Sequence, residues 1–359
     1  LQHRQSAGIT TAAIAATGIG PAPSTPLGGR SLNVEQYDGS SWTEVGDVSS
    51  GRNQSAGTPA SPYSSAMVFA GDSPPSNAVQ ATSESWNGSS WTEVNDLNSD
   101  RQFPGGQGTY TAAIAFGGEE PGVTGKTELW DGTNWTETGD LNTARYTLGS
   151  GTLSYTEGFC VGGWLLPGVA SQVEAFDGTS WTETTEMNTA RNGPFLSGDS
   201  SNAICSGGSV EPGVQTKAEL WNGSSWTETG DINTARYNGG SAGTYTAALI
   251  FGGSNQGGTQ DAETEAWNGT SWTELADLAT ARNYQHGAGA ANTDAILAGG
   301  STPSIVAATE EWTAAPVTAA ILEEGSIFLS GGTALKGFGK AAGIPAATWA
   351  SGGSLNAGR

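Results

Sequence analysis

The chain has 359 residues, of which 55 are glycine and 13% are charged, and its 13 basic and 35 acidic side chains sum to a formal net charge of −22. That balance lacks the clustered Lys and Arg that phosphate binding needs, so nucleic acid is not an expected partner. No run of about 18 apolar residues is present, so no membrane-spanning helix is expected, and two cysteines supply no disulfide framework.

The chain opens on LQHRQSAG without Met, which suits a processed product, a fragment or one period cut from a longer chain. A repeat then orders the predicted elements. The phrase DGTNWTETGDLNTAR (131–145) has near-copies in NGSSWTEVNDLNSDR (87–101), DGTSWTETTEMNTAR (177–191), NGSSWTETGDINTAR (222–236) and NGTSWTELADLATAR (268–282). Its Trp lies at 42, 91, 135, 181, 226 and 272, five residues after an aromatic at Tyr37, Trp86, Trp130, Phe176, Trp221 and Trp267. A glycine pair recurs at 117–118, 162–163, 207–208, 252–253 and 299–300.

Each unit predicts four strands. In residues 235–282, GGSAGT is a small-residue first strand and YTAALIFGG a nearly continuous apolar second. AETEAW and SWTEL alternate and are joined by Asn-Gly, a tight-hairpin signal. Nowhere is a 3.6-residue apolar period sustained. In chain order the units span approximately 4–48, 52–97, 101–141, 145–187, 191–232, 236–278 and 282–316, followed by a linker or hairpin segment at 317–345 and a closing segment at 346–359. Cys160 and Cys205 hold the same place in two successive units, too far apart for a disulfide, and are expected as small buried side chains.

Four strands in about 45 residues is the size of a propeller blade. Arg, then a double Gly, then an aromatic, then Trp resembles the kelch repeat, over roughly residues 4 to 312. The resemblance implies an all-β, seven-bladed kelch-like β-propeller, with blades around a central channel and the first strand of each innermost. Small residues in SAGT and GAGA suit the crowded centre, and the Trp suit the gaps between blades. Twelve of the thirteen Trp are in frame and are read as structural. Arg52, Arg101, Arg145, Arg191, Arg236 and Arg282, with Glu35, Glu84, Glu128, Glu174, Glu219, Glu265 and Glu310, suggest ion pairs or backbone hydrogen bonds repeated around the ring.

The seventh unit stops at AATEEWTAAP (307–316): Trp312 supplies its first aromatic, but no outer strand follows. The last residues, AATWASGGSLNAGR (346–359), are a worn copy of the repeat phrase, offering Trp349 for that strand and Arg359 for the link. The strand around Ala347–Ser351 is therefore expected on the outer side of the strand near Thr309–Thr313, in its own propeller or in an adjacent one. EEGSIFLSGGTALKGFG resembles short segments that precede repeats in bacteriophage fibre proteins. The SWTETGDLNTAR phrases are similar to kelch-like propellers of phage fibre and virion-surface proteins. An open sheet edge is a template for another chain, and head-to-tail contacts tend to give filaments.

Galactose-oxidase-like copper enzymes share this propeller, but their sites use His and Tyr ligands, and the chain has only His3 and His286. No phosphate loop or Gly-x-Ser-x-Gly elbow occurs, and no cofactor is expected. Calcium at Asp140 or Asp231 is a weaker alternative. Asn87, Asn222 and Asn268 match the glycosylation pattern but sit where a hairpin turn asks for Asn-Gly. Trp164, the Trp outside the frame, forms with Leu165 and Leu166 an apolar loop tip suited to a partner contact. The leading functional reading is a non-enzymatic subunit of an extracellular fibre, built from propellers repeated head to tail with strand exchange. Its alternatives are a monomeric receptor- or glycan-binding head and, third, a galactose-oxidase-like enzyme.

Overall fold

A computed structural model describes residues 5–9, 11–19, 31–73, 78–146, 149–150, 154–210, 213–284, 286–302, 304, 309–313, 327–330 and 334–337. No helix occurs among the described residues. The chain divides into two compact units, Leu1–Thr313 and Ala314–Arg359. In the second, Ile327–Ser330 pairs antiparallel with Ala334–Gly337. Residues 346–359, with the expected closing strand, lie outside the described residues.

The first unit is an all-β propeller. Six four-stranded antiparallel sheets follow one another in the chain, each ordered first to fourth strand. The third blade, for example, runs Gly105–Thr109, Ala112–Phe116, Thr127–Trp130, Trp135–Glu137. A further sheet has three strands, His286–Ala291, Asp294–Ala298 and Thr309–Thr313. The innermost strand of each sheet touches that of the next, and His286–Ala291 touches both Gly240–Thr244 and Gln5–Ile9. The expected seven-bladed ring, its last outer strand supplied by 346–359, is thus corrected to six blades complete among the described residues. The seventh unit has no W-T phrase directly after its third strand, and no fourth strand is seen there among the described residues.

Side-chain size sets the radial order. Most first strands carry Gly, Ala and Ser where the sheets converge, Phe195–Gly198 with its Phe and Leu being the exception, and two of them, Ala56–Gly57 and Gly149–Ser150, pair over only two residues. The second strands are buried on both faces and read as apolar runs: Ala66–Phe69, Ala112–Phe116, Phe159–Val161 and Ala203–Ser206. Four of the outer strands are apolar only at the Trp that faces inward, and the first two, Trp42–Val45 and Trp91–Val94, add a half-buried Val.

Each link arginine joins two blades. Its carbonyl accepts from the glycine pair of the blade it leaves: Gly163 N to Arg191 O is 3.0 Å and Gly253 N to Arg282 O is 2.8 Å. The approach is close enough to require glycine, since a Cβ on Gly207 (φ +59°) would lie 2.6 Å from Arg236 O. The guanidinium reaches forward to the third-strand Glu of the next blade, as in Arg145–Glu174 at 2.7 Å and Arg52–Glu84 at 2.5 Å. Arg101–Glu128, Arg191–Glu219, Arg236–Glu265 and Arg282–Glu310 repeat the pair. The Glu also caps the link, with Glu174 Oε2 accepting from Asn142 N at 2.7 Å.

The connections between second and third strands carry small hairpins in four sheets. These are Asp72–Ser73 with Ala78–Val79, Glu119–Glu120 with Gly122–Val123, Trp164–Leu165 with Gly168–Val169, and Ser209–Val210 with Gly213–Val214. They lie beside the links: Tyr146 bridges Trp164, and Asn192 bridges Ser209.

Candidate functional site

The cores of the propeller are the clefts between blades, and each complete cleft is closed by an outer-strand Trp from the following blade. Trp135 packs edge-on to Phe69 with ring centroids 4.9 Å apart, and its Nε1 donates to Ser83 Oγ at 3.0 Å. Trp181 meets Phe116 at 4.8 Å and donates to Thr127 Oγ1 at 2.9 Å. Trp226 stacks on Phe159, Trp272 closes on Phe195 and Ile204, and Trp91 on Ala16 and Val34. In each cleft the apolar link residue of the preceding blade joins the cluster, and Val48, Leu97, Leu141, Met187 and Ile232 are all buried.

The cleft between the sixth blade and the three-stranded sheet departs from this pattern. A cavity of about 270 Å³ is present there, lined by Phe251, Thr264, Leu278, Leu297, Glu310 and Trp312 among others. Leu278, the link residue equivalent to the five just named, is only half-buried. Trp312 is half-buried too, whereas Trp86, Trp130, Trp221 and Trp267 at its position are buried. The Glu310 side chain is 21% exposed, against 0–1% for the five other glutamates seen paired to link arginines. In complete blades the aromatic of the third strand stands in register with the outer Trp, as Trp130 does with Trp135 and Trp267 with Trp272. Trp312 is instead in register on its inner side with Ala295, and the outer side of Thr309–Thr313 pairs with no described strand.

Opposite this cleft, the three-stranded sheet is tied to the first blade. Tyr37 Oη donates to Glu311, and that hydrogen bond, with burial and the Glu311 charge, pushes the phenol up to about 12. Burial lowers the Arg282 guanidinium below its ordinary value, with the Glu310 carboxylate opposing that shift.

Of the residues singled out in the sequence, Trp312 lies in the cleft wall. Ala347, Trp349, Ser351 and Arg359 lie outside the described residues. Trp164 and Leu165 are half-buried within their small hairpin, and only Leu166, 66% exposed, stands out at its tip. Asp140 Oδ1 accepts from Thr127 N at 3.1 Å, and Asp231 Oδ2 accepts from Thr216 Oγ1 at 3.1 Å. No group of three His, Cys, Asp or Glu side chains placed to hold a metal occurs among the described residues. Asn87, Asn222 and Asn268 cap their own turns, each Oδ1 accepting two backbone N–H groups. Cys160 and Cys205 are free and buried, and burial pushes both thiols up to about 11. His286 lies in the innermost strand of the three-stranded sheet, and His3 is outside the described residues.

Sequence reading did not single out Phe251, Thr264 or Leu278. The signal was available in the repeat frame, where Phe251 and Thr264 align with Phe116 and Thr127.

No family model matches the chain, and no curated protein matches it. Among solved structures, it is similar to that of YjhT, a propeller, with a TM-score of 0.59 and 14% identity over 77% of this chain and 97% of that one. At that identity the likeness is one of fold: this chain is an all-β propeller with six complete blades.

Proposed function

We propose that the three-stranded sheet is a seventh blade lacking its outer strand, and that a second copy of the chain supplies that strand from residues 346–359. The chain is then a non-enzymatic structural or adhesive subunit, a kelch-like propeller repeated head to tail in an extracellular fibre or filament. The observation that carries this reading is the cleft between the sixth blade and the three-stranded sheet, where no outer-strand Trp is seen among the described residues, whereas each of the five clefts between complete blades holds one. An unpaired sheet edge beside an apolar groove is a site for strand addition, in which main-chain hydrogen bonds give affinity and side-chain pockets give selectivity. The sequence adds the donor, because AATWASGGSLNAGR repeats the phrase that forms outer strands elsewhere. Its setting in a virion fibre or cell-surface filament rests on the resemblance of the repeat phrases to those proteins.

A second reading, a monomeric head that binds a receptor or glycan, is favoured by Leu166 at the tip of its hairpin. Light scattering and electron microscopy of the intact chain and of a chain lacking 346–359 separate the two. Strand exchange requires that the intact chain assemble with rising concentration and that the deletion abolish assembly. A concentration-independent monomer for the intact chain refutes it and leaves the monomeric head.

A further inference from the structure

We infer that the cleft between the sixth blade and the three-stranded sheet is a socket selective for an indole, with Thr264 as the acceptor for its ring N–H and Phe251 and Leu278 as its apolar walls. This rests on the strand-acceptor reading above and names what the acceptor recognises. The occupant is the outer strand of a second copy, presenting Trp349.

The inference follows from position. In the second and third blades, the second strand ends in Phe69 and Phe116, and the third strand begins with Ser83 and Thr127. Only at Ser83 and Thr127 does the outer-strand Trp of the next blade find an acceptor for its indole N–H. The first, fourth and fifth blades place Val34, Val173 and Ala218 at the start of the third strand. The Trp that close those clefts, Trp91, Trp226 and Trp272, have Nε1 buried without a partner. The three-stranded sheet places Thr309 there, yet Trp42 Nε1 is also unpaired, so a hydroxyl is necessary for the bond and not sufficient. The sixth blade combines both features of the second and third: Phe251 ends its second strand and Thr264 begins its third, and both line the cavity. Leu278 takes the place of Leu97 and Leu141, which pack in the clusters of Trp135 and Trp181.

The alternatives for such a groove are a nonspecific apolar slot, which takes any large side chain, and a slot that takes no strand at all. An indole differs from a phenyl ring in its N–H. Losing that bond, with the hydroxyl left unpaired, weakens binding by about tenfold.

The test uses the full chain carrying Trp349→Ala, so that its own copies of the donor do not compete. The probe is a labelled peptide AATWASGGSLNAGR and the same peptide with Phe in place of Trp. The Trp peptide is expected to bind about tenfold more tightly than the Phe peptide. Adding Thr264→Val is expected to bring the two affinities within about twofold, and Thr264→Ser, which keeps the hydroxyl, to preserve the discrimination. Circular dichroism identifies any variant that fails to fold, and the Ser variant then carries the test. Peptide binding with equal affinities, or discrimination that survives Thr264→Val, overturns the indole socket while leaving strand acceptance intact. No binding of either peptide overturns the socket and the strand-acceptor reading together.

Discussion

Trp181 Nε1 donates to Thr127 Oγ1 across 2.9 Å, from the outer strand of the fourth blade to the third strand of the third. One blade further on, Trp226 occupies the same place, but its Nε1 is buried without an acceptor. The two residues are matched in burial and strand position, so they isolate the hydrogen bond. Trp181→Phe deprives the Thr127 hydroxyl of its donor and leaves it only its own bond to Gly125 O at 3.4 Å, whereas Trp226→Phe removes an orphaned donor. Trp181→Phe is expected to cost about 1–2 kcal/mol more than Trp226→Phe in urea unfolding. Equal losses would mean that ring packing alone decides these clefts.

Much of this architecture was legible in the sequence because every unit states it again. The Asn-Gly and Asp-Gly turns, the apolar second strands and the paired aromatics are local signals with local causes. The link Arg and third-strand Glu were identifiable as partners because each recurs once per unit, although their direction, from one blade to the next, depends on the ring. The small hairpins between second and third strands were not legible. Trp164–Leu165 and Gly168–Val169 are two-residue strands, too short for alternation to register. The missing outer strand of the seventh unit was legible, but the half-burial of Leu278 in the last cleft was not, because Leu278 looks like every other link residue until its neighbours are seen. Counting aromatic positions suggested seven blades and counting W-T phrases six outer strands, and six blades are complete among the described residues.

The ion pairs between blades offer a second comparison. Glu174 and Arg145 are both fully buried, while Glu310, paired with Arg282, is 21% exposed. Glu174→Ala strands a guanidinium in a dry cleft and is expected to cost about 3–5 kcal/mol. Glu310→Ala leaves Arg282 beside a wetter cleft and is expected to cost less than half as much. Denaturation of the two variants measures this, and an equal cost would show the last cleft to be as closed as the others.

The turn aspartates set an acid limit. Hydrogen bonds from Thr179 Oγ1 and from the N–H groups of Ser180 and Thr179 hold Asp177 at about 2, below its ordinary 3.8. Bonds from Ser41 and Ser40 hold Asp38 at about 2, and backbone N–H groups lower Asp131. A depressed folded-state value gives stability that is present above pH 3.8 and lost as pH falls through about 2. Asn at the equivalent positions 87, 222 and 268 caps the turn without titrating. The triple change Asp38→Asn, Asp131→Asn, Asp177→Asn is expected to flatten the stability loss between pH 4 and pH 2, seen in thermal unfolding. An unchanged acid slope would place the sensitivity elsewhere.

Asp261 has the opposite sign. Burial, reinforced by the Glu263 carboxylate, raises it to about 6, and its Oδ2 has no hydrogen-bond partner. With a folded value above 3.8, stability falls as pH rises from 3.8 to about 6 and is level beyond. Asp261→Asn is expected to raise the thermal midpoint at pH 7 and to have little effect at pH 4. A gain of the same size at both pH values would assign the effect to packing.

The central claim is that a strand from a second copy pairs with the outer side of Thr309–Thr313. Amide hydrogen exchange of that strand, followed over a dilution series of the intact chain, tests it most directly. Strand exchange predicts slow exchange at Thr309–Thr313 when the chain is concentrated and fast exchange once dilution has separated the copies, with Thr264–Trp267 protected throughout. Fast exchange at every concentration, or protection that persists unchanged in a diluted monomer, would contradict it.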